Sequence, residues 1–265
     1  MILRKIIFSI STEGWIATVK KITKTLLLNY QNQKNELKIR KILEIEDIEA
    51  RFKAIYQNNL WGNAESVSGP GSTLVYTSKL RAALPSLIIK YNIKSIFDAP
   101  CGDLNWMGPI LSKLKIYYIG GDIVEELIEV NKKKYQNPTT SFIHINLVSE
   151  AFPYADLLVC RDCLFHLCYR DTLRLLENYV DAGIPYLLVT SHKTETMFAN
   201  RDITTGGYRL MDIFAAPYFF PLNPSERIDD WEIPGPAREV CLFNHEQVSI
   251  ACKKMRASLA LEKIV

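Results

Sequence analysis

Residues 95–107 read SIFDAPCGDLNWM. An apolar run ends in Asp98, Pro100 and Cys101 lead to Gly102, and a second acid follows at Asp103. The run predicts a buried strand and the Pro-Cys-Gly segment a turn that leaves it. A turn built for a diphosphate would carry glycines at G-x-G-x-x-G spacing, so that backbone amides could reach the anion. Here Gly102 stands alone between carboxylates that would repel a phosphate and attract a cation. NAD and FAD are disfavoured on those electrostatic grounds.

Outward from this stretch, short apolar runs alternate with amphipathic ones. KSIFDA, KIYYIGGD, TSFIHINL, ADLLVCRD and PYLLVTSH read as strands, and GPILSKL, EELIEVNKKKY and DTLRLLENYVDAG as helices. Such alternation predicts a parallel sheet covered by helices on both faces, and near-continuous apolar strands fit burial on both sides. Residues 60–72, LWGNAESVSGPGS, form a loop, with Ser72 or Thr73 capping a helix that runs to about Tyr91 and that Pro85 kinks or divides. Upstream, Ile39, Ile42, Leu43, Ile45, Ile48, Phe52 and Ile55 recur at helical spacing. Past Ser191 the rhythm breaks: residues 193–236 are rich in Pro, Gly, Asn and aromatics, too long for an idle connection. REVCLFNHEQV then reads as a late strand.

The chain has 265 residues, 48% of them hydrophobic, and a formal charge of +3. That is globular composition without the basic stripe of a nucleic-acid binder. The first 41 residues hold nine Lys/Arg against two acids, which suits either a solvated helix face or a peripheral membrane or protein contact. No apolar stretch approaches the roughly 20 residues needed to span a bilayer, and the start lacks a small-residue cleavage site. Six scattered cysteines suggest reduced thiols and a cytoplasmic setting.

In open α/β sheets ligands sit at the carboxyl ends of strands where strand order reverses. S-adenosylmethionine (SAM), which carries an ammonium and a sulfonium but no phosphate, suits the acidic turn. Asp98 would attract its cationic end, directly or through water, and Gly102 would let the backbone approach. Asp122 ends the next strand, where an acid accepts the two ribose hydroxyls. The competing reading is that Asp98 and Asp122 only cap the following helices.

The chain resembles class I SAM-dependent methyltransferases over about residues 60–244. It is similar to a bacterial subgroup through W-G-x-x-E-S-x-S-G-x-G-S (Trp61, Gly62, Glu65, Ser66, Ser68, Gly69, Gly71, Ser72), D-x-P-C-G-D-x-x-W-M (Asp98 to Met107), C-R-D-C-L-x-H-L (Cys160 to Leu167) and D-I-x-x-G-x-x-R (Asp202, Ile203, Gly206, Arg209). The resemblance implies a Rossmann-like, seven-stranded, mostly parallel sheet with helices on both faces. An N-terminal helical extension, residues 1–59, would precede a methyltransferase domain, residues 60–265, whose insertion at about 193–236 serves the acceptor. It implies SAM as cofactor and S-adenosylhomocysteine (SAH) as product. Pro100, Cys101, Asp103, Trp106, Ile123, Leu147, Arg161 and Ser72 would join Asp98, Gly102 and Asp122 around it. The subgroup is linked to surface-glycan and natural-product pathways. Where the third strand usually ends in an acid that meets the adenine amine, this chain offers Asn146, whose carbonyl oxygen can accept the same bond.

Methyl transfer expels a neutral leaving group, so the protein must align the nucleophile and, for a hydroxyl, take its proton. Asp162 and His166, four residues apart beyond the fourth strand, are candidates, and His192 at the end of the fifth is the second candidate base. Packing alone would equally explain His166, and pairing with Asp162 would explain Arg161. Trp61, Asp202, Tyr208 and Arg209 are candidates to hold the acceptor, an arginine suiting a carboxylate or phosphate; loop capping is the alternative for the last three. Trp61 and residues 68–72 would belong to a lid over the cofactor. Cys160, Cys163, His166 and Cys168 invite a zinc reading, but strand and helix would carry them apart, and no metal is expected. The expected reaction is O-methylation of a small polar acceptor such as a sugar, sugar nucleotide or glycan end. N- or C-methylation of a non-sugar metabolite is the alternative, with Tyr218, Phe219 and Phe220 as aromatic walls or as core. A non-catalytic SAM-binding partner subunit is the third reading.

Overall fold

The apolar runs pair into a sheet of seven strands: β1 (Ser95–Asp98), β2 (Tyr117–Asp122), β3 (Thr140–His144), β4 (Leu157–Cys160), β5 (Tyr186–His192), β6 (Glu226–Asp229) and β7 (Arg238–Asn244). The computed structural model describes residues 15–233 and 235–261. The strand order is β3-β2-β1-β4-β5-β7-β6. The first five strands run parallel, and β7 lies antiparallel between β5 and β6. Successive side chains alternate across the sheet: Ile96, Leu157, Val159 and Leu188 join one core, Phe97, Leu158, Cys160 and Leu187 the other. That period of two, buried on both faces, is why the strands read as unbroken apolar runs.

Among the described helices α1 (Trp15–Leu43) comes first in the chain, and α2 (Ile48–Gln57), α3 (Ser78–Lys90), α4 (Gly108–Leu111), α5 (Glu125–Tyr135), α6 (Tyr169–Asp181) and α7 (His245–Leu261) cover both faces of the sheet. Helix α3 buries Leu80, Leu84, Leu87 and Ile88 at three- and four-residue spacing and runs through Pro85 without dividing. Its N-cap is Thr77, without a side-chain bond; Ser72 instead closes a 3₁₀ turn, Pro70–Ser72. Helix α5 opens on Glu125 and Glu126 and ends on Lys132, Lys133 and Lys134, matching charge to the helix dipole at both ends.

The chain divides into two compact units between Glu46 and Asp47. Helix α2, with Asp47 accepting from the Ala50 amide at its start, therefore belongs to the sheet unit. In the first unit α1 exposes Trp15, Val19, Ile22 and Leu26, with Lys20, Lys21 and Lys24 also exposed. The rest of the basic N-terminal stretch, residues 1–14, lies outside the described residues. Among the described residues no helix is long and apolar enough to cross a membrane. The stretch 193–236 is mostly irregular but holds β6, which sequence reading missed: ERID is short, charged and at the sheet edge, so it carries no apolar run.

Candidate active site

Strand order reverses between β1 and β4, and a cavity of about 500 Å³ opens beyond the carboxyl ends of the strands there. The volume lies in the range of small-molecule sites. At one end Asp122 Oδ2 accepts the Gly102 amide and Oδ1 the Val124 amide, both at 3.0 Å. Each carboxylate oxygen keeps a second lone pair for a ligand hydroxyl. Ile123, Leu147, Val124 and Val148 line an apolar patch beside it. Asn146 lines the same end, its Oδ1 accepting the Val148 amide at 3.0 Å. Pro100, Cys101, Gly102, Asp103 and Trp106 form the wall after β1. Asn131 of α5 donates to the Gly102 carbonyl at 2.7 Å and fixes that turn.

Asp98 does not line the cavity. It is buried under the turn, accepts the Tyr118 hydroxyl at 2.6 Å, and burial raises its pKa to about 7. Asp98 therefore lies beneath the turn rather than on the cavity wall. Asp103 does line the cavity, but its oxygens accept the Ser66 hydroxyl at 2.9 Å and the Val67 amide at 3.0 Å. It pins the loop of residues 61–76. Glu65 adds a second pin, accepting from the Leu74 amide and from Asn105 Nδ2. Gly102 has φ +56°, and a Cβ there would stand 2.1 Å from Ser68 Oγ. The two glycine-bearing motifs are thus halves of one structure, the loop roofing the turn, with Trp61, Ser68 and Ser72 all on the cavity wall.

At the other end stands His166, in the 3₁₀ turn Leu164–His166 after β4. Its Nδ1 is 2.6 Å from the Gly207 carbonyl, which can only accept, so Nδ1 carries the proton and Nε2 keeps its lone pair. Burial lowers its pKa below 6.5, outweighing Gly207 and Asp162, which raise it. The ring packs 5.2 Å from Trp61 and 6.0 Å from Tyr208, centroid to centroid. Asp162 stands at φ +53°. Thr190 donates to its Oδ1 at 3.1 Å, and its Oδ2 lies 3.1 Å from Arg161 Nη1 and 3.0 Å from Arg238 Nη2. Burial pushes the Asp162 carboxyl up, but the two guanidiniums outweigh it and hold it below the usual range. Arg161 and Arg238 also share the buried Asp230, whose carboxyl burial raises.

Besides Asp98, three expected site residues lie off the cavity wall. His192 is buried off the cavity, and its Nδ1 accepts the Met211 amide at 3.1 Å. Its remaining nitrogen is then a donor, and burial drops its pKa to about 4, so it has no lone pair with which to act as base. Asp202 accepts the Tyr169 and Ile203 amides. Arg209 is fully buried, bonded to Leu164 and Tyr218 and stacked 5.1 Å over Tyr169. Both are scaffold for the 3₁₀ turn and α6, the loop-capping alternative. Tyr218 and Phe220 are core; Tyr208 does line the cavity. Among the described residues no group of three or more His, Cys, Asp or Glu could hold a metal. From sequence Asp229-Asp230 reads as a solvated turn rather than a metal pair, yet Asp230 is fully buried; Arg238 and Tyr76 were missed. Only the oddity of an Arg-Glu pair opening a strand that is apolar from Val240 to Phe243 signalled the first.

No family model and no curated protein matches the chain in sequence. Solved structures match it in shape. A SAM-dependent methyltransferase from Leishmania major aligns with TM-score 0.56 at 15% identity, over 74% of this chain and 85% of its own. PigF, solved with SAH, aligns with TM-score 0.52 at 11% identity, over 87% and 74%. The magnesium protoporphyrin IX methyltransferase of Synechocystis PCC 6803, also with SAH, aligns with TM-score 0.50 at 10% identity, over 83% and 99%. With its reversal between β1 and β4 and its antiparallel β7, the chain has the fold of class I SAM-dependent methyltransferases.

Proposed function

We propose that the chain is a SAM-dependent methyltransferase acting on a hydroxyl of a small polar acceptor such as a sugar, sugar nucleotide or glycan end. One observation carries the reading: a single cavity has a carboxylate with free lone pairs at one end, Asp122, and a histidine with a free lone pair at the other, His166. The residues present fit SAM. Asp122 suits ribose hydroxyls, the Ile123–Leu147 side suits adenine, and the acidic wall suits a cation and repels a diphosphate. SAM supplies a methyl on a sulfonium; its C–S bond breaks as the O–CH₃ bond forms, leaving a neutral thioether. His166 Nε2 takes the hydroxyl proton, and the nearby ionised Asp162 favours the resulting imidazolium. The loop of residues 61–76 covers the turn and keeps water out. An aromatic cavity without a base would have pointed to N- or C-methylation; Trp61, Phe165 and Tyr208 supply aromatics, but His166 stands among them. The solved neighbours above include a methyltransferase named for a porphyrin, and the sugar reading rests on the motif resemblance and on the polar groups at this end.

Binding calorimetry tests the cofactor. SAM and SAH should bind the wild type, and Asp122→Ala should weaken both by at least tenfold, since hydrogen bonds to a charged acceptor are worth about 1.5–3 kcal/mol. No binding to the wild type would sink the reading.

A further inference from the structure

A guanidinium carries five N–H donors in a fixed fork. Arg161 turns every nitrogen to a protein oxygen: Nε and Nη2 to Asp230 Oδ2, Nη2 also to the Gly71 carbonyl at 2.7 Å, and Nη1 to Asp162. Arg238 does not. Its Nε donates to the Asp230 carbonyl at 3.0 Å. Its Nη2 is ion-paired with Asp162 Oδ2 at 3.0 Å without hydrogen-bond geometry, and its Nη1 makes neither an ion pair nor a hydrogen bond with a described residue. The residue is only 6% exposed and lines the cavity. Donors left open in a buried wall carry a desolvation penalty unless a ligand answers them. The fork is also held still, its centre 4.3 Å over the Tyr76 ring.

Resting on the methyltransferase reading, we propose that Arg238 is a specificity residue that receives an anionic group of the acceptor, a phosphate or a carboxylate. Strand order separates it from the nucleoside end. From β2, which carries Asp122, to β7 is four steps of about 4.8 Å, roughly 19 Å across the sheet. His166 and Tyr208 share that far wall with Arg238, so an acceptor gripped there presents a neighbouring hydroxyl to Nε2. Asp162 and Asp230 do not close the site to an anion. Asp162 is already shared with Arg161, and burial pushes Asp230 toward its neutral form. With Nε held by the Asp230 carbonyl, the edge that Nη1 forms with Nη2 is the one left, and a guanidinium edge takes a carboxylate or phosphate bidentately.

The same chemistry is present in the cofactor's own methionyl carboxylate, and the experiment separates the two sources. Protein saturated with SAH is titrated calorimetrically with inorganic phosphate, using the wild type, Arg238→Gln and Arg238→Lys. Phosphate should bind the SAH-loaded wild type, at least tenfold more weakly to Arg238→Gln and within threefold to Arg238→Lys, while SAH affinity changes less than threefold. Should Arg238→Gln fail to fold, Gly71→Ala is the second variant. It keeps every charge and sets a methyl carbon 2.8 Å from Asp162 Oδ2 and 2.9 Å from Arg238 Nη2, with the same loss of phosphate expected. No phosphate binding by the wild type, or equal binding by the variants, overturns the proposal. A tenfold loss of SAH affinity with phosphate unaffected also overturns it, assigning the fork to the cofactor. If SAH itself does not bind the wild type, the methyltransferase reading falls, and the phosphate titration without SAH still decides Arg238.

Discussion

Replacing Gly102 by alanine would load two separable costs onto the turn after β1. The first is conformational: φ +56° is left-handed backbone, which costs an L-residue about 1–2 kcal/mol. The second is steric. The new Cβ would sit 2.1 Å from Ser68 Oγ and 3.1 Å from Ser68 Cβ, and no rotamer of serine clears both. The roof must lift against the Asp103 and Glu65 pins, and overpacking of this kind costs about 1–3 kcal/mol. The sum, roughly 2–5 kcal/mol, corresponds to a fall in Tm of about 5–15 °C at this domain size. Urea and thermal denaturation of Gly102→Ala, Ser68→Gly and the double variant form a cycle that isolates the pair. Ser68→Gly removes both clashing atoms, so the double variant should regain about 1–3 kcal/mol over Gly102→Ala and leave only the conformational cost. A Gly102→Ala protein within about 1 kcal/mol of wild type, or a double variant no better than the single, would refute the contact between turn and roof.

Two further outcomes follow from buried charges. On the proposed reading His166 acts as base in its neutral imidazole form, and burial holds its pKa below 6.5. With any acceptor the wild type methylates, kcat/KM should therefore be flat at pH 7–8 and fall at lower pH, with its midpoint under 6.5. His166→Ala should lose about 10²–10⁴-fold of turnover with SAH affinity intact; survival of a tenth of the activity would remove the base. Asp98, raised by burial from 3.8 to about 7, favours the folded state when protonated. That stability is complete below the unfolded pKa and is lost as pH rises through about 7. Asp98→Asn keeps an oxygen for Tyr118 and should flatten the dependence, gaining on the order of 4 kcal/mol over wild type at alkaline pH. Parallel stability curves for the two proteins across pH 4–9 would contradict this.

How much of this was open to reading depends on the range of the interaction involved. The alternation of apolar strands and amphipathic helices is local, so the doubly covered sheet and the strand-end placement of Asp98, Gly102 and Asp122 could be read directly from residues 95–147. The His166 position was equally local, four residues past Asp162 on the way out of β4. Its distinction from His192 was not. Both histidines follow strands, and only the packing of the 193–236 stretch gave His192 the Met211 amide and His166 the Gly207 carbonyl. The two arginines differ in placement for a related reason: Arg238 lines the cavity and Arg209 does not. Arg209 lies in a motif and Arg238 in none, yet the fold sank Arg209 onto Tyr169 and Tyr218.

By itself the sequence determined the sheet, its covering helices and the acidic, phosphate-free turn, because hydrophobic periodicity and backbone preference act within a few residues. Tertiary structure alone decided which charged side chains meet. Inserting β7 antiparallel between β5 and β6 carries Arg238 and Asp230 from beyond residue 229 to Arg161 and Asp162 at the end of β4. A buried charge is tolerated only where opposite charge and hydrogen bonds converge on it, and that convergence depends on strand order, which no local pattern in the chain records.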